Sequence, residues 1–361
     1  MLKNLKHILS LSLLLFAFFA NSNKAYSQCI ETLRSARTVY DEGRLHELPG
    51  ILESCLKNGF DKEEKTEAYR LLVLSYIYQD QPALADQAML DLLRANPRFK
   101  IDPDTDPNEL INLYKTFRTD PIFKWGVKLM GTYSIVNITK AYGVYNVNDS
   151  DGAYSGNIAF GGMLFIEKDF LNNRITLRAE PSYTSYKMTY SGTSSPSEED
   201  PLLPSVEWPG DVEGQSWLGL NVSLRYGILK NNSIGRKVKP HIILGPSVQY
   251  LLSSSSANQT DVKDGQTESG ANIDFLDPVN SNRKRLNLSA IAGLGIILPL
   301  GKMSFVTDIT YQYGLVNITD RNYSPELSLR YGRAMSDQTL NAINISLGFM
   351  FNQYSPKKLS N

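Results

Sequence analysis

From Ile122 onward, apolar and polar residues alternate with a period of two, the signature of strands with one buried or lipid-facing side. Eight segments of suitable length can be delimited: Phe123–Thr139, Ile158–Lys168, Arg174–Tyr190, Ser216–Leu229, Val238–Ser253, Arg285–Leu298, Met303–Val316 and Leu340–Phe351. In Arg285–Leu298, Leu286, Leu288, Leu294, Ile296 and Leu298 occupy one phase, and Asn287, Ser289, Gly293 and Gly295 the other. Leu340–Phe351 sets Ile343, Ile345, Leu347, Phe349 and Phe351 against Ala342, Asn344, Ser346, Gly348 and Met350. In Ile158–Lys168 both phases are fairly apolar, and its inner face is not evident.

The connections between these segments alternate in length. Asp169–Asn173, Lys230–Lys237 and Pro299–Lys302 are short; Lys140–Asn157, Ser191–Gln215, Ser254–Lys284 and Asn317–Thr339 are long and rich in Ser, Gly, Asp and Asn. A soluble sandwich has no reason to collect every long loop at one end, whereas an outer-membrane barrel has short periplasmic turns and long external loops. The expected fold is therefore an antiparallel eight-stranded transmembrane β-barrel over residues 122–353, with a periplasmic tail at 354–361. Ten strands remain open if a long loop hides a hairpin.

An eight-stranded barrel is just wide enough for its own side chains. The alternation turns Arg178, Glu180, Arg225 and Asp308 inward, and buried charges are costly unless paired. These four are expected to form a salt-bridge network that fills the lumen. A polar path through the barrel is the rival reading.

Before the barrel the period changes. Leu33, Ala36, Val39 and Tyr40, then Leu45, Leu48, Leu52, Cys55 and Leu56, then Tyr69, Leu72, Val73 and Tyr76, then Ala85, Met89 and Leu92 follow helical spacing, with Gly43, Gly59 and Pro97 as punctuation. Residues 28–98 thus read as two helical hairpins, making the whole chain α+β: a small all-α domain followed by the barrel. Pro49 falls inside the expected second helix. Residues 99–121, with Pro103 and Pro107 and a short helix through Leu110, Leu113 and Tyr114, read as a linker. The chain holds two cysteines, Cys29 and Cys55. They fall at ends that an antiparallel hairpin brings together, so a Cys29–Cys55 disulfide is expected, with two buried free thiols as the alternative.

Met1–Ser27 reads as a secretory signal peptide: Lys3 and Lys6, an apolar stretch from Ile8 to Ala20, and Ala25-Tyr26-Ser27 as the cleavage site. Export implies an oxidising compartment. Lys+Arg and Asp+Glu are equal at 37 each, so no bulk charge points to nucleic acid. Tyr is abundant at 20, which suits interfacial girdles.

Catalytic, metal and cofactor chemistry is sparse. Outside the signal peptide the histidines are His46 and His241, far apart in sequence. His241, near the start of a strand, reads as an interfacial or lumen residue. Asn148-Asp149-Ser150-Asp151-Gly152 hints at a calcium loop without its closing carboxylate, and Glu198-Glu199-Asp200 reads as a solvated acidic run. No catalytic, cofactor or metal residue is assigned, and no enzyme is expected.

In the helical half, Leu72, Tyr76, Ala85 and Pro97 stand at the spacing of a tetratricopeptide repeat, which the second hairpin resembles. The barrel half resembles the PorT-like outer-membrane β-barrel family through Pro240-His241-Ile242-Ile243-Leu244-Gly245, Ala292-Gly293-Leu294-Gly295-Ile296 and Tyr313-Gly314-Leu315-Val316-Asn317-Ile318. That resemblance implies the barrel fold, and some members serve in protein secretion. Gly348, Phe349 and Phe351 resemble the C-terminal signal read by the barrel-assembly machinery. The expected partners are the lipid bilayer, that machinery, and a periplasmic or envelope protein bound through residues 28–118. The expected role is an anchor or scaffold; a narrow channel or transport accessory is the alternative, with a lipid-modifying enzyme third.

Overall fold

The computed structural model describes residues 28–142, 153–171, 174–194, 206–228, 238–263, 266–274, 283–320 and 335–359. The expected signal peptide Met1–Ser27, the calcium-loop candidate Asn148–Gly152 and the acidic run Glu198–Asp200 lie outside them. The chain divides into two compact units: residues 1–122 with 354–361, and Phe123–Gln353.

The first unit is helical. Helix α1 spans residues 28–41; a 3-10 turn, Leu45–Glu47, leads into α2, Leu48–Lys57. Because α2 starts at Leu48, Pro49 sits in its first turn, where a missing N–H costs nothing, and not in a helix interior. Helix α3, Lys62–Tyr78, opens on a capping box in which Asp61 and Glu64 satisfy each other's backbone N–H groups. Helices α4, Pro82–Ala95, and α5, Asn108–Lys115, follow. Ala36, Leu48, Leu52, Ala68, Val73, Met89, Leu92 and Leu110 form its buried core. Cys29 and Cys55 are disulfide-bonded at the edge of that core, Cα atoms 5.6 Å apart. No helix among the described residues is long and apolar enough to cross a membrane.

Residues 99–121, read from sequence as a linker, contribute to this core. Leu110 and Phe117 are buried with Phe99, Ile101, Leu113 and Tyr114 packed around them. Arg70 donates to Asp106 at 2.6 Å, pinning the turn before α5 to α3. A two-residue strand β1, Phe117–Arg118, continues from α5.

The second unit is a sheet closed on itself. Its strands are β2 (Phe123–Tyr142), β3 (Ala153–Phe170), β4 (Ile175–Ser194), β5 (Val206–Gly227), β6 (Lys239–Lys263), β7 (Gln266–Asp274), β8 (Leu286–Leu300), β9 (Met303–Gly314) and β10 (Met335–Gln353). All pairings are antiparallel, in the order β5-β4-β3-β2-β10-β9-β8-β6, and β5 pairs with β6 to close the ring of eight. The ninth strand, β7, pairs with the distal part of β6, from Ser255–Asp274 to Lys263–Gln266. The long 254–284 segment therefore does hold a hairpin, but it extends β6 beyond the ring and does not widen it. Strands of up to 25 residues are roughly twice as long as a tilted bilayer crossing requires.

The alternation seen in the sequence decides which face is which. Leu129, Phe160, Ile158, Leu244 and Leu294 are all more than 60% exposed on the outer wall. An apolar belt of that extent is tolerated only against lipid. Trp125, Phe170, Tyr226, Phe349 and Phe351 edge the belt toward the short connections; Tyr133, Tyr183, Tyr250 and Tyr313 edge it toward the long ones. Trp125 and Tyr133 lie on one strand, roughly 20 Å apart along the barrel axis at the usual rise and tilt. That separation matches a transmembrane band between aromatic girdles.

The last element, β11, Lys357–Lys358, pairs antiparallel with β1, Phe117 against Lys358 and Arg118 against Lys357. Arg118 donates to the Ser355 carbonyl at 2.6 Å, and Lys358 pairs with Asp86 on α4. The described part of the tail is thus an edge strand of the helical unit.

Candidate functional site

The inner face of the ring brings charged residues from six strands together. Arg178 on β4 is fully buried, 2.6 Å from Glu167 on β3, 2.8 Å from Asp308 on β9 and 3.5 Å from Glu180 on its own strand. Asp308 also accepts from Lys128 on β2 at 2.9 Å and lies 2.9 Å from His241 on β6. Lys128 pairs with Glu180 as well. Arg225 on β5 reaches Glu167 at 2.7 Å. Lys128 and Arg178 both lie 5.2 Å from the centroid of the Phe165 ring, which adds a cation–π contact beneath the cluster.

The structure thus joins Arg178, Glu180 and Asp308 directly, and reaches Arg225 only through Glu167. Lys128 and Glu167 are additions to the residues singled out from sequence. Lys128 had a signal: it stands out of phase with Trp125, Val127 and Leu129. Glu167 had none, because the β3 segment is apolar in both phases; Met163 and Phe165 also face the lumen. Three cations, Lys128, Arg178 and Arg225, meet three carboxylates, Glu167, Glu180 and Asp308, so the cluster balances without His241 charged.

A second buried pair occupies the half of the lumen nearer the long connections. Arg283, just before β8, binds Glu213 on β5 through two nitrogens at 2.8 and 2.6 Å, and Gln338 on β10 at 2.7 Å. Ser254 and Gln215 also donate to Glu213. Arg283 escaped the sequence reading because it lies in a long loop by pattern. Between the two ionic layers sit neutral groups. Gln249 donates to the Tyr186 hydroxyl at 2.9 Å and accepts from Gln312 at 2.8 Å. Tyr186, Met188, Trp217, Leu251 and Leu340 form a buried apolar cluster inside the ring. A residual cavity of about 20 Å³ remains beside Lys128, Glu180 and Asp308. That is room for one or two water molecules.

Gly348 lies on β10 opposite Lys128 of β2. A Cβ there would collide with the Val127 carbonyl and the Lys128 side chain, so glycine clears the approach of that lysine. Phe349 and Phe351 point outward; Phe351 stacks on Trp125 at 4.9 Å and Phe349 meets Phe305 edge-on at 5.8 Å. Among the described residues, no group of three or more His, Cys, Asp or Glu side chains could hold a metal ion.

A closed antiparallel ring with a lipid-facing apolar belt, two aromatic girdles and a charged interior defines a transmembrane β-barrel. The chain belongs to the outer membrane protein beta-barrel domain family, whose model matches residues 122–320. It is an outer-membrane protein. No curated protein matches it by sequence. Among solved structures it is similar to OprG from Pseudomonas aeruginosa, an outer membrane protein, at 11% identity and a TM-score of 0.37, over 65% of this chain and 98% of that one. Neisserial surface protein A is 10% identical with a TM-score of 0.31, over 63% and 96%. A major outer membrane protein from Thermus thermophilus is 15% identical with a TM-score of 0.33, over 63% and 98%.

Proposed function

We propose that the barrel is a closed anchor and that the helical unit is the working part, binding a protein partner in the periplasm. The observation that carries this is the lumen: two ionic layers with neutral and apolar side chains between them leave about 20 Å³ beside the main cluster. A barrel filled in this way offers no solute a route. Its contribution is to hold the attached helices at the membrane.

The orientation follows from connection length. Both passages between barrel and helical unit, at residues 122–123 and 353–354, fall at the end with short connections. Short connections are periplasmic in this class of barrel, which supports a periplasmic location for residues 28–118 and an external one for the long loops. The Met1–Ser27 signal and an oxidised Cys29–Cys55 pair suit that compartment. The α3–α4 hairpin keeps tetratricopeptide-like spacing, and such hairpins commonly dock peptides. The PorT-like resemblance of the barrel points to a component of envelope protein traffic. Gly348, Phe349 and Phe351 act as the signal for the barrel-assembly machinery.

The test is photocrosslinking in intact cells from Tyr78 and Leu84, apolar side chains exposed on the helical unit. A discrete protein adduct from the full-length chain is expected. Adducts no stronger than from a probe in an external loop would refute partner binding.

A further inference from the structure

Lys284 and Arg285 stand on the outer wall beside the girdle near the long connections. They line an open cleft of about 610 Å³ whose lower wall is Leu286, Leu288 and Val316. The frame is fixed by the main chain: Lys284 N–H donates to the Ile318 carbonyl and Leu315 N–H to the Leu288 carbonyl, both at 2.8 Å. Arg283 turns inward to Glu213, so its charge is spent. Lys284 and Arg285 turn outward and are exposed. Neither forms an ion pair with a carboxylate among the described residues. The Arg285 guanidinium lies 6.0 Å from the centroid of the Tyr250 ring, with Nη1 3.5 Å from the hydroxyl, which holds it against the wall at girdle height. Among the described residues of the lining Asp320 is the one acid, so two exposed cations face one carboxylate.

We propose that this cleft binds the phosphorylated headgroup of a membrane lipid, with an acyl chain lying along Leu286, Leu288 and Val316. Two cations against a single carboxylate, directly above an apolar wall and at the depth where a bilayer changes from hydrocarbon to headgroup, match a ligand with the same division. An arginine fork held by a ring is suited to bidentate phosphate contact, and the neighbouring lysine adds a mobile point charge. Assignment of this rim to the outer leaflet rests on the orientation proposed above. Lipid binding by the purified protein does not, and surface labelling of the long loops tests the orientation separately.

The experiment is native mass spectrometry of the detergent-purified full-length protein with diphosphoryl lipid A, its fully dephosphorylated form, or dioleoylphosphatidylcholine, with inorganic phosphate as competitor. Wild type is expected to retain the diphosphoryl lipid in preference to the other two. The K284Q/R285Q pair should weaken retention about thirty-fold, from the usual contribution of a basic residue at an anionic surface. K187Q, an exposed lysine on β4, should leave it unchanged and serves as the control for unspecific charge. Unshifted gel migration on heating would show whether the double variant has lost its barrel; in that event R285K, which keeps the charge and loses the fork, is expected to weaken retention by a smaller factor. Equal retention of the dephosphorylated lipid, equal loss in K187Q, no loss in K284Q/R285Q or in R285K, or displacement by millimolar phosphate would each overturn the proposal.

Discussion

Arg178 and Asp308 meet at 2.8 Å inside the barrel, although 130 residues separate them in the chain. Arg178 also holds Glu167, and Asp308 also holds Lys128 and His241, so the pair is the junction of the ionic layer. Removing one member of a buried ion pair strands the others, at a cost of about 3–5 kcal/mol. R178M should therefore lower the denaturant midpoint of the detergent-solubilised barrel sharply. The double change R178M/D308N removes one charge of each sign, leaves Lys128 paired with Glu180 and Arg225 with Glu167, and should recover part of that loss. A single variant as stable as wild type would show that the layer contributes nothing.

Conductance follows from the same packing. Reconstituted wild type should show no steady conductance in planar bilayers, because the ionic layers and the Trp217–Leu251 cluster block the ring in series. R283A/E213A opens one layer only and should also stay silent. Steady single-channel steps from the wild-type protein would contradict the filled lumen and favour a transport role.

The Cys29–Cys55 bond closes a loop between cysteines 26 residues apart. By chain entropy this stabilises the helical unit by about 3–4 kcal/mol. C29S/C55S should therefore melt the helices earlier while leaving the barrel's heat-modifiable migration unchanged. Loss of barrel migration in the same variant would mean that the two units do not fold independently.

Much of this fold was legible in the chain. Period-two alternation located the eight ring strands and, for all but Ile158–Lys168, their outward faces, and loop lengths distinguished a barrel from a sandwich. Two kinds of feature escaped. Glu167 sits in a strand whose lumen face also carries Met163 and Phe165, so its polarity was masked by apolar neighbours that pack under Arg178 and Lys128. Residues 99–121 and 354–359 look like polar connections because each buries only a few side chains; their place in the helical unit depends on a strand pair between segments more than 200 residues apart, which no local pattern reports. Arg178, Glu180 and Asp308 were found because a charge in the inward phase of an otherwise clean alternation is conspicuous.

The β1–β11 pair has a consequence of its own. Truncation after Gln353 removes β11, the Arg118–Ser355 contact and the Lys358–Asp86 pair, leaving the β1 edge and α4 unpartnered there. The truncated protein should still insert, but its helical unit should be cleaved faster in limited proteolysis. Identical cleavage rates would mean that the tail adds no stability.

Phe349 and Phe351 separate two explanations of the last strand. Both face lipid beside aromatic partners, Phe305 and Trp125, near the short-connection girdle. An acidic residue at the edge of the hydrocarbon costs little, on the order of 1 kcal/mol, so transfer energy alone would let F349D/F351D insert. If these aromatics are read by the assembly machinery, the double variant should be absent from the outer membrane and degraded. F349L/F351L keeps the apolar face but removes the rings. Partial loss is expected from it in cells, together with normal refolding of purified F349L/F351L into detergent. Wild-type membrane levels of F349D/F351D would refute the signal, and failure of F349L/F351L to refold in detergent would assign these rings to barrel stability instead.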